Sequence, residues 1–162
     1  MRLTSWLYRD GRPNRAARIL DRCTGAIYAL GVSPDYLVTL EVPGRRSGRT
    51  VALPLVMVVV AGERYLVSML GEGANWAGNV RAARGEVVLR HGRREEVRLE
   101  ELEVGRRAPV LKAYLKRAPN ARAHLPVPAD APLAEFEHVA ARFPVFRVTS
   151  GHPAAGSGPG RR

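Results

Sequence analysis

The sequence predicts a small domain of α+β class, mainly β, built as a six-stranded antiparallel barrel with peripheral helices. Three observations predict it. Six segments have strand composition, turn signals join most of them directly as hairpins, and no Gly-x-Gly-x-x-Gly opens a helix after a strand. The last point leaves an alternating parallel sheet with a dinucleotide site unsupported.

The 162 residues suffice for one domain with a hydrophobic core, and 46% hydrophobic with 25% charged residues is a globular balance. Residues 1–34 are expected to form an amphipathic segment, 35–150 the barrel, and 151–162 a flexible tail. In the first segment Ala16, Ile19, Leu20, Cys23, Ile27 and Leu30 fall at helical spacing, with Arg15, Arg18 and Arg22 elsewhere on the wheel. Pro13 suits the first turn of a helix over 13–30, and Gly31 its end. Such a helix packs across the core or rests on anionic lipid.

After Ser33-Pro34, residues 36–42 read as a strand ending at Pro43-Gly44. A second strand covers 49–60, and Pro54 within it requires an edge, bulge or bend, because proline has no ladder donor. Ala61-Gly62-Glu63 turns the chain into a strand over 65–69. Residues 71–75 are loop, and 76–84 form a short helix with Trp76, Val80 and Ala83 on one side and Gly85 as its cap. A hairpin follows, 87–91 and 95–104 about Gly92-Arg93-Arg94. Helices are expected over 106–117 and 133–142, and 143–149 closes as the last strand.

The net charge is +11, and among 26 basic residues only Lys112 and Lys116 are lysines. Arginine bonds phosphate or carboxylate with a planar fork, so anionic partners are expected. Nucleic acid is not favoured: aromatic residues are 6% of the chain and none alternates with the arginine clusters. The single Cys23 excludes an internal disulfide framework, and the four histidines show no metal-ligand spacing, so no metal is expected. No signal segment opens the chain and the apolar run 51–61 is too short to span a bilayer. A cytoplasmic protein is expected, with peripheral membrane contact through the first helix as an option.

The candidate chemistry lies in Gly44-Arg45-Arg46-Ser47-Gly48-Arg49. The glycines permit a sharp turn with exposed amides, Ser47 adds a hydroxyl, and three guanidinium forks surround them, a combination able to receive phosphate. By contrast Arg90, Arg93, Arg94 and Arg98 on the later hairpin read as a solvated face, and Tyr114 reads as core. Taken with Pro54-Leu55 and with Asn75-Trp76-Ala77-Gly78-Asn79, the turn resembles the deazaflavin-dependent nitroreductase family over residues 36–104.

That resemblance implies a split β-barrel of the flavin-binding type and coenzyme F420 as redox partner, with a quinone, nitro compound or similar small molecule as electron acceptor. By position Arg45, Arg46, Ser47 and Gly48 meet the cofactor's phosphate and acidic tail, Pro54 and Leu55 border its ring, Ser68, Met69, Leu70 and Gly71 line the deazaflavin, and Asn75, Trp76 and Asn79 close over it. Val51 stands where the family carries a basic residue, and Arg49 is a substitute from another position. FMN is the alternative cofactor, and a basic membrane- or nucleic-acid-binding module without catalysis the alternative function. A homodimer is compatible with the family, and no catalytic residue is assigned.

Overall fold

The computed structural model describes residues 36–151, together with a small ladder between β1 (Tyr8–Arg9) and β2 (Arg12–Pro13). The expected helix over 13–30 with Cys23, and the expected tail, lie outside the described residues. The exception is Pro13, which belongs to β2 instead of a first helical turn.

Strands β3 (Leu37–Pro43), β4 (Thr50–Val60), β5 (Glu63–Val67), β6 (Glu86–His91), β7 (Arg93–Glu101) and β8 (Val145–Ser150) close a barrel in the order β3-β4-β5-β8-β7-β6. Every neighbouring pair is antiparallel. Alternation of side chains fixes what faces inward. Val38, Leu40 and Val42 of β3, Leu66 of β5, Val87 and Leu89 of β6, Val97 and Leu99 of β7, and Phe146 and Val148 of β8 form one inner cluster. The intervening Val58, Tyr65, Val67 and Val145 point outward into a second core. That outer core is covered by α2 (Ala108–Arg117) and α3 (Leu133–Val139), through Val110, Leu111, Tyr114, Leu115 and Phe136. Along β4, Leu53, Leu55 and Met57 pack on the inner cluster and Val56, Val58 and Val60 on the outer core, so its sequence there is continuously apolar and carries no period-two signal.

Helix α1 (Asn75–Ala82) inserts Trp76, Ala77 and Val80 into the inner cluster. The Trp76 and Phe146 rings lie 5.3 Å apart at 53°, a tilted contact worth about 0.5–1.5 kcal/mol beyond burial. At the opposite end of the barrel Arg64 and Glu95 form a bidentate pair at 2.8 and 2.7 Å.

Several boundaries differ from the sequence reading, each for a local reason. Strand β5 spans 63–67 instead of 65–69: Ala61 and Gly62, at φ 50° and 79°, make a two-residue turn that lets pairing begin at Glu63. The β6–β7 tip shrinks from three residues to Gly92 at φ 72°. Strand β7 ends at Glu101, before a 3-10 turn over Val104–Arg106, and α3 ends at Val139 before another over Ala140–Arg142. Helix α1 is capped as expected by Gly85, whose amide bonds Val80 O at 2.9 Å. A Cβ at Gly85 would lie 2.3 Å from Leu99 O, so the helix end meets the sheet only through glycine.

Candidate functional site

The turn between β3 and β4 continues their register, since Gly44 N bonds Arg49 O at 2.8 Å. Gly48, at φ 67°, then returns its amide to Gly44 O at 2.8 Å. Residues 45–49 are exposed, but their arginines have different partners. Arg45 is tied to α1: its backbone amide and Nη1 donate to Asn79 Oδ1 at 3.1 and 3.0 Å, Nη1 also donates to Asn75 O at 2.9 Å, and Nη2 to Asn75 Oδ1 at 3.4 Å. A Cβ at Gly78 would lie 2.9 Å from Arg45 Nη1, so that glycine makes room for the guanidinium. Asn79 is 6% exposed, a buried polar side chain satisfied by the turn. Arg46 and Arg49 bond no carboxylate among the described residues. The Ser47 hydroxyl accepts from Arg49 N at 3.2 Å and keeps its own proton to donate.

Beside the turn the barrel is split. Strand β5 pairs with β4 only over residues 57–60, leaving residues 50–56 with no strand on that side among the described residues. Met57 N donates to Tyr36 O at 2.6 Å. By antiparallel alternation the odd-numbered amides of β4 face β3, and the even-numbered ones, at Thr50, Ala52 and Val56, face the free edge. Pro54 sits at an even position, so its missing N–H costs no ladder bond, which explains how the strand passes through proline without a bulge. Leu53 and Leu55 pack on the inner cluster, whereas Pro54 lies on the opposite face.

The chain leaving β5 spans from this split to α1. Ser68 is fully buried: its amide bonds Pro144 O at 2.9 Å and its hydroxyl donates to Gly71 O at 2.8 Å. The hydroxyl therefore supports the loop from beneath. Met69 and Leu70 follow, with amides that bond no backbone carbonyl among the described residues, and Gly71 turns the chain at φ 78°. Asn75 presents both its oxygens to Arg45, and Trp76 is 8% exposed, a core aromatic more than a surface contact. The structure thus brings Arg45, Asn75 and Asn79 into one hydrogen-bonded unit. It leaves Arg46, Ser47, Gly48 and Arg49 facing solvent next to the free edge.

Several charges elsewhere are paired. Arg81 bridges Glu72 and Glu101 at 2.9 and 2.8 Å, and its hydrogen bond holds the Glu101 carboxyl below its ordinary range. Glu101 also meets the buried Arg107 at 3.2 Å, which donates to Leu102 O, Ala140 O and Phe143 O. A groove of about 500 Å³ on the outer side of β3, β6 and β7 carries Glu41, Glu86 and Glu96, and its Arg94 is paired with Glu96 at 2.7 Å. Its charge makes it unsuited to phosphate. Tyr114 lies in the outer core, where burial pushes its phenol up to about 12.

One grouping escaped the sequence reading. His124, Arg142 and Phe143 meet Met69, Leu70 and Gly71 around a cavity of about 300 Å³. No spacing announces it, because the two walls are more than 50 residues apart and are joined by the Ser68–Pro144 bond.

No protein-family model and no curated protein matches the chain. Among solved structures, one described as a domain-swapped dimer aligns with a TM-score of 0.51 at 22% identity, over 83% of this chain and 93% of that one. A protein of unknown function from Agrobacterium tumefaciens aligns with a TM-score of 0.54 at 14% identity, over 86% of this chain and 56% of that one. An F420-H2 dependent reductase aligns at 0.47 and 22% identity, over 70% and 94%. The fold of the chain is a closed six-stranded antiparallel β-barrel, split along β4, with three α-helices among the described residues.

Proposed function

We propose that the chain is an oxidoreductase that holds the phosphate of a deazaflavin, coenzyme F420, at residues 46–49, and passes reducing equivalents to a small electrophilic acceptor such as a quinone or nitro compound. One observation carries the reading. Arg46 and Arg49 lack carboxylate partners among the described residues, and they flank the Ser47 hydroxyl and a strand edge whose amides at Thr50, Ala52 and Val56 pair with no strand among those residues. This donor set suits a phosphate monoanion or dianion, and it lies where the sequence resemblance assigns the cofactor's tail.

When bound, a reduced deazaflavin supplies a hydride, two electrons and one proton. The chain's residues bind and orient. Arg46, Ser47 and Arg49 grip phosphate, while Arg45 acts through Asn75 and Asn79 to fix the turn against α1. The amides of Met69 and Leu70 offer donors to an anionic ring edge, which is electrostatic preorganisation without a side-chain base. Pro54 borders the free edge, and Leu55 and Trp76 keep water from the barrel beneath it.

The test is a fluorescence titration of the full chain into oxidised F420, with FMN in parallel. Saturation by F420, weakened about tenfold in Arg46→Ala, supports the reading, since one charge-assisted bond is worth about 1.5–3 kcal/mol. A protein that purifies yellow with FMN and leaves F420 fluorescence unchanged fits the flavin alternative and refutes the deazaflavin. We further propose a homodimer, to be checked by light scattering against the monomer mass of 17.7 kDa.

A further inference from the structure

The cavity bounded by residues 69–71 on one side and His124, Arg142 and Phe143 on the other has an unusual balance of chemistry. Met69, Leu70 and Phe143 supply the apolar part of its walls, and Leu70 is 61% exposed, a large hydrophobic side chain left facing solvent. Arg142 brings a full positive charge. Its guanidinium is held 5.6 Å from the centre of the Phe143 ring and bonds no carboxylate among the described residues. His124 adds a second nitrogen donor, and no acidic side chain lines the space.

The walls are held at a fixed spacing. A Cβ at Gly71 would lie 3.0 Å from Arg142 O, so the two backbones touch, and Ser68 bonds both Pro144 O and Gly71 O. A volume of about 300 Å³ lies at the small end of ligand sites and admits one aromatic ring with short substituents.

We propose that this cavity binds an aryl carboxylate or a similarly small aromatic anion, with the anionic group on Arg142, a hydrogen bond from His124, and the ring against Leu70 and Phe143. Resting on the reductase reading, the same cavity seats the electron acceptor, because Met69 to Gly71 form both its wall and the segment expected to line the deazaflavin. Specificity then comes from Arg142: a carboxylated acceptor is preferred over its neutral ester.

The experiment uses saturation-transfer NMR on the cofactor-free full chain, with 4-nitrobenzoate and methyl 4-nitrobenzoate as probes. The acid is expected to bind at least tenfold more tightly than the ester in wild type. Arg142→Leu is expected to remove that preference, Arg142→Lys to restore part of it, and His124→Ala to weaken acid binding severalfold. Thermal melts establish that each variant is folded. Equal binding of acid and ester in wild type, an undiminished preference in folded Arg142→Leu, or no transfer to either probe overturns the proposal. With F420 and a reductant present, Arg142→Leu is expected to raise KM for the acid more than KM for the ester. If the acid binds through Arg142 while F420 gives no titration, the cavity stands and the reductase reading falls.

Discussion

Two regions of this barrel are rich in arginine and turned by glycine, and their charges have opposite fates. On the β6–β7 hairpin Arg90 pairs with Glu41 at 3.0 Å and Arg94 with Glu96 at 2.7 Å, and on the adjoining β8 Arg147 bridges Glu63 and Glu100. On the β3–β4 turn Arg45 is taken up by two asparagines, and Arg46 and Arg49 have no acid at hand among the described residues. Arginine number does not distinguish the regions, but glutamate placement does. Arg90 and Arg94, neutralised by their glutamates, serve the sheet, whereas Arg46 and Arg49, with no carboxylate partner among the described residues, have charge to offer a ligand.

The largest expected effect falls where the end of α1 meets the hairpin. Gly85→Ala places a methyl against Leu99 O in a backbone with φ 80°, and should cost more than about 3 kcal/mol, read as a lower urea midpoint. Next, Asn79→Ala removes the buried acceptor of two Arg45 bonds and should cost about 1–3 kcal/mol. Denaturation measures the loss, and an unchanged midpoint would show that Arg45 is not a structural tie. Third, Arg46→Ala and Arg49→Ala should each weaken F420 binding about tenfold while shifting stability by less than about 0.5 kcal/mol, and Arg94→Ala should leave binding unchanged.

The smallest effect concerns pH. The hydrogen bond from Arg64 holds Glu95 below its ordinary 4.5 in the folded state. A carboxylate with a lowered folded pKa contributes stability that is present above that ordinary value and lost as pH falls through the lowered one. Both side chains are about a third exposed, so the contribution is about 0.5 kcal/mol. Glu95→Gln should therefore lose less stability than wild type as pH falls from about 5 to 3, and identical acid limbs in the two proteins would contradict this.

The comparison also separates what residues announce from what they do not. The barrel was legible because β3, β6 and β7 alternate and because Gly44, Gly62, Gly85 and Gly92 mark turns that hold in space. Pro54 announced an irregularity, and the structure locates it as a free edge with no bulge. Arg45 and Arg46 stand side by side in the motif with one assigned role, because what distinguishes them is Asn75 and Asn79, some 30 residues away on a helix. The cavity at Arg142 was illegible for a stronger form of the same reason: its walls come from the loop before α1, from His124 between α2 and α3, and from Arg142 and Phe143 after α3, and share no motif. Trp76 is expected from the resemblance to close over the cofactor, and its ring lies 5.3 Å from that of Phe146.

The central claim, that Arg46 and Arg49, without carboxylate partners among the described residues, bind the cofactor and the paired Arg90 and Arg94 do not, is tested most directly by F420 titrations of wild type, Arg46→Ala and Arg94→Ala under one salt condition. Saturable binding in wild type and Arg94→Ala, weakened about tenfold in Arg46→Ala, is the predicted result. No saturable binding in wild type, or equal weakening in both variants, would contradict it.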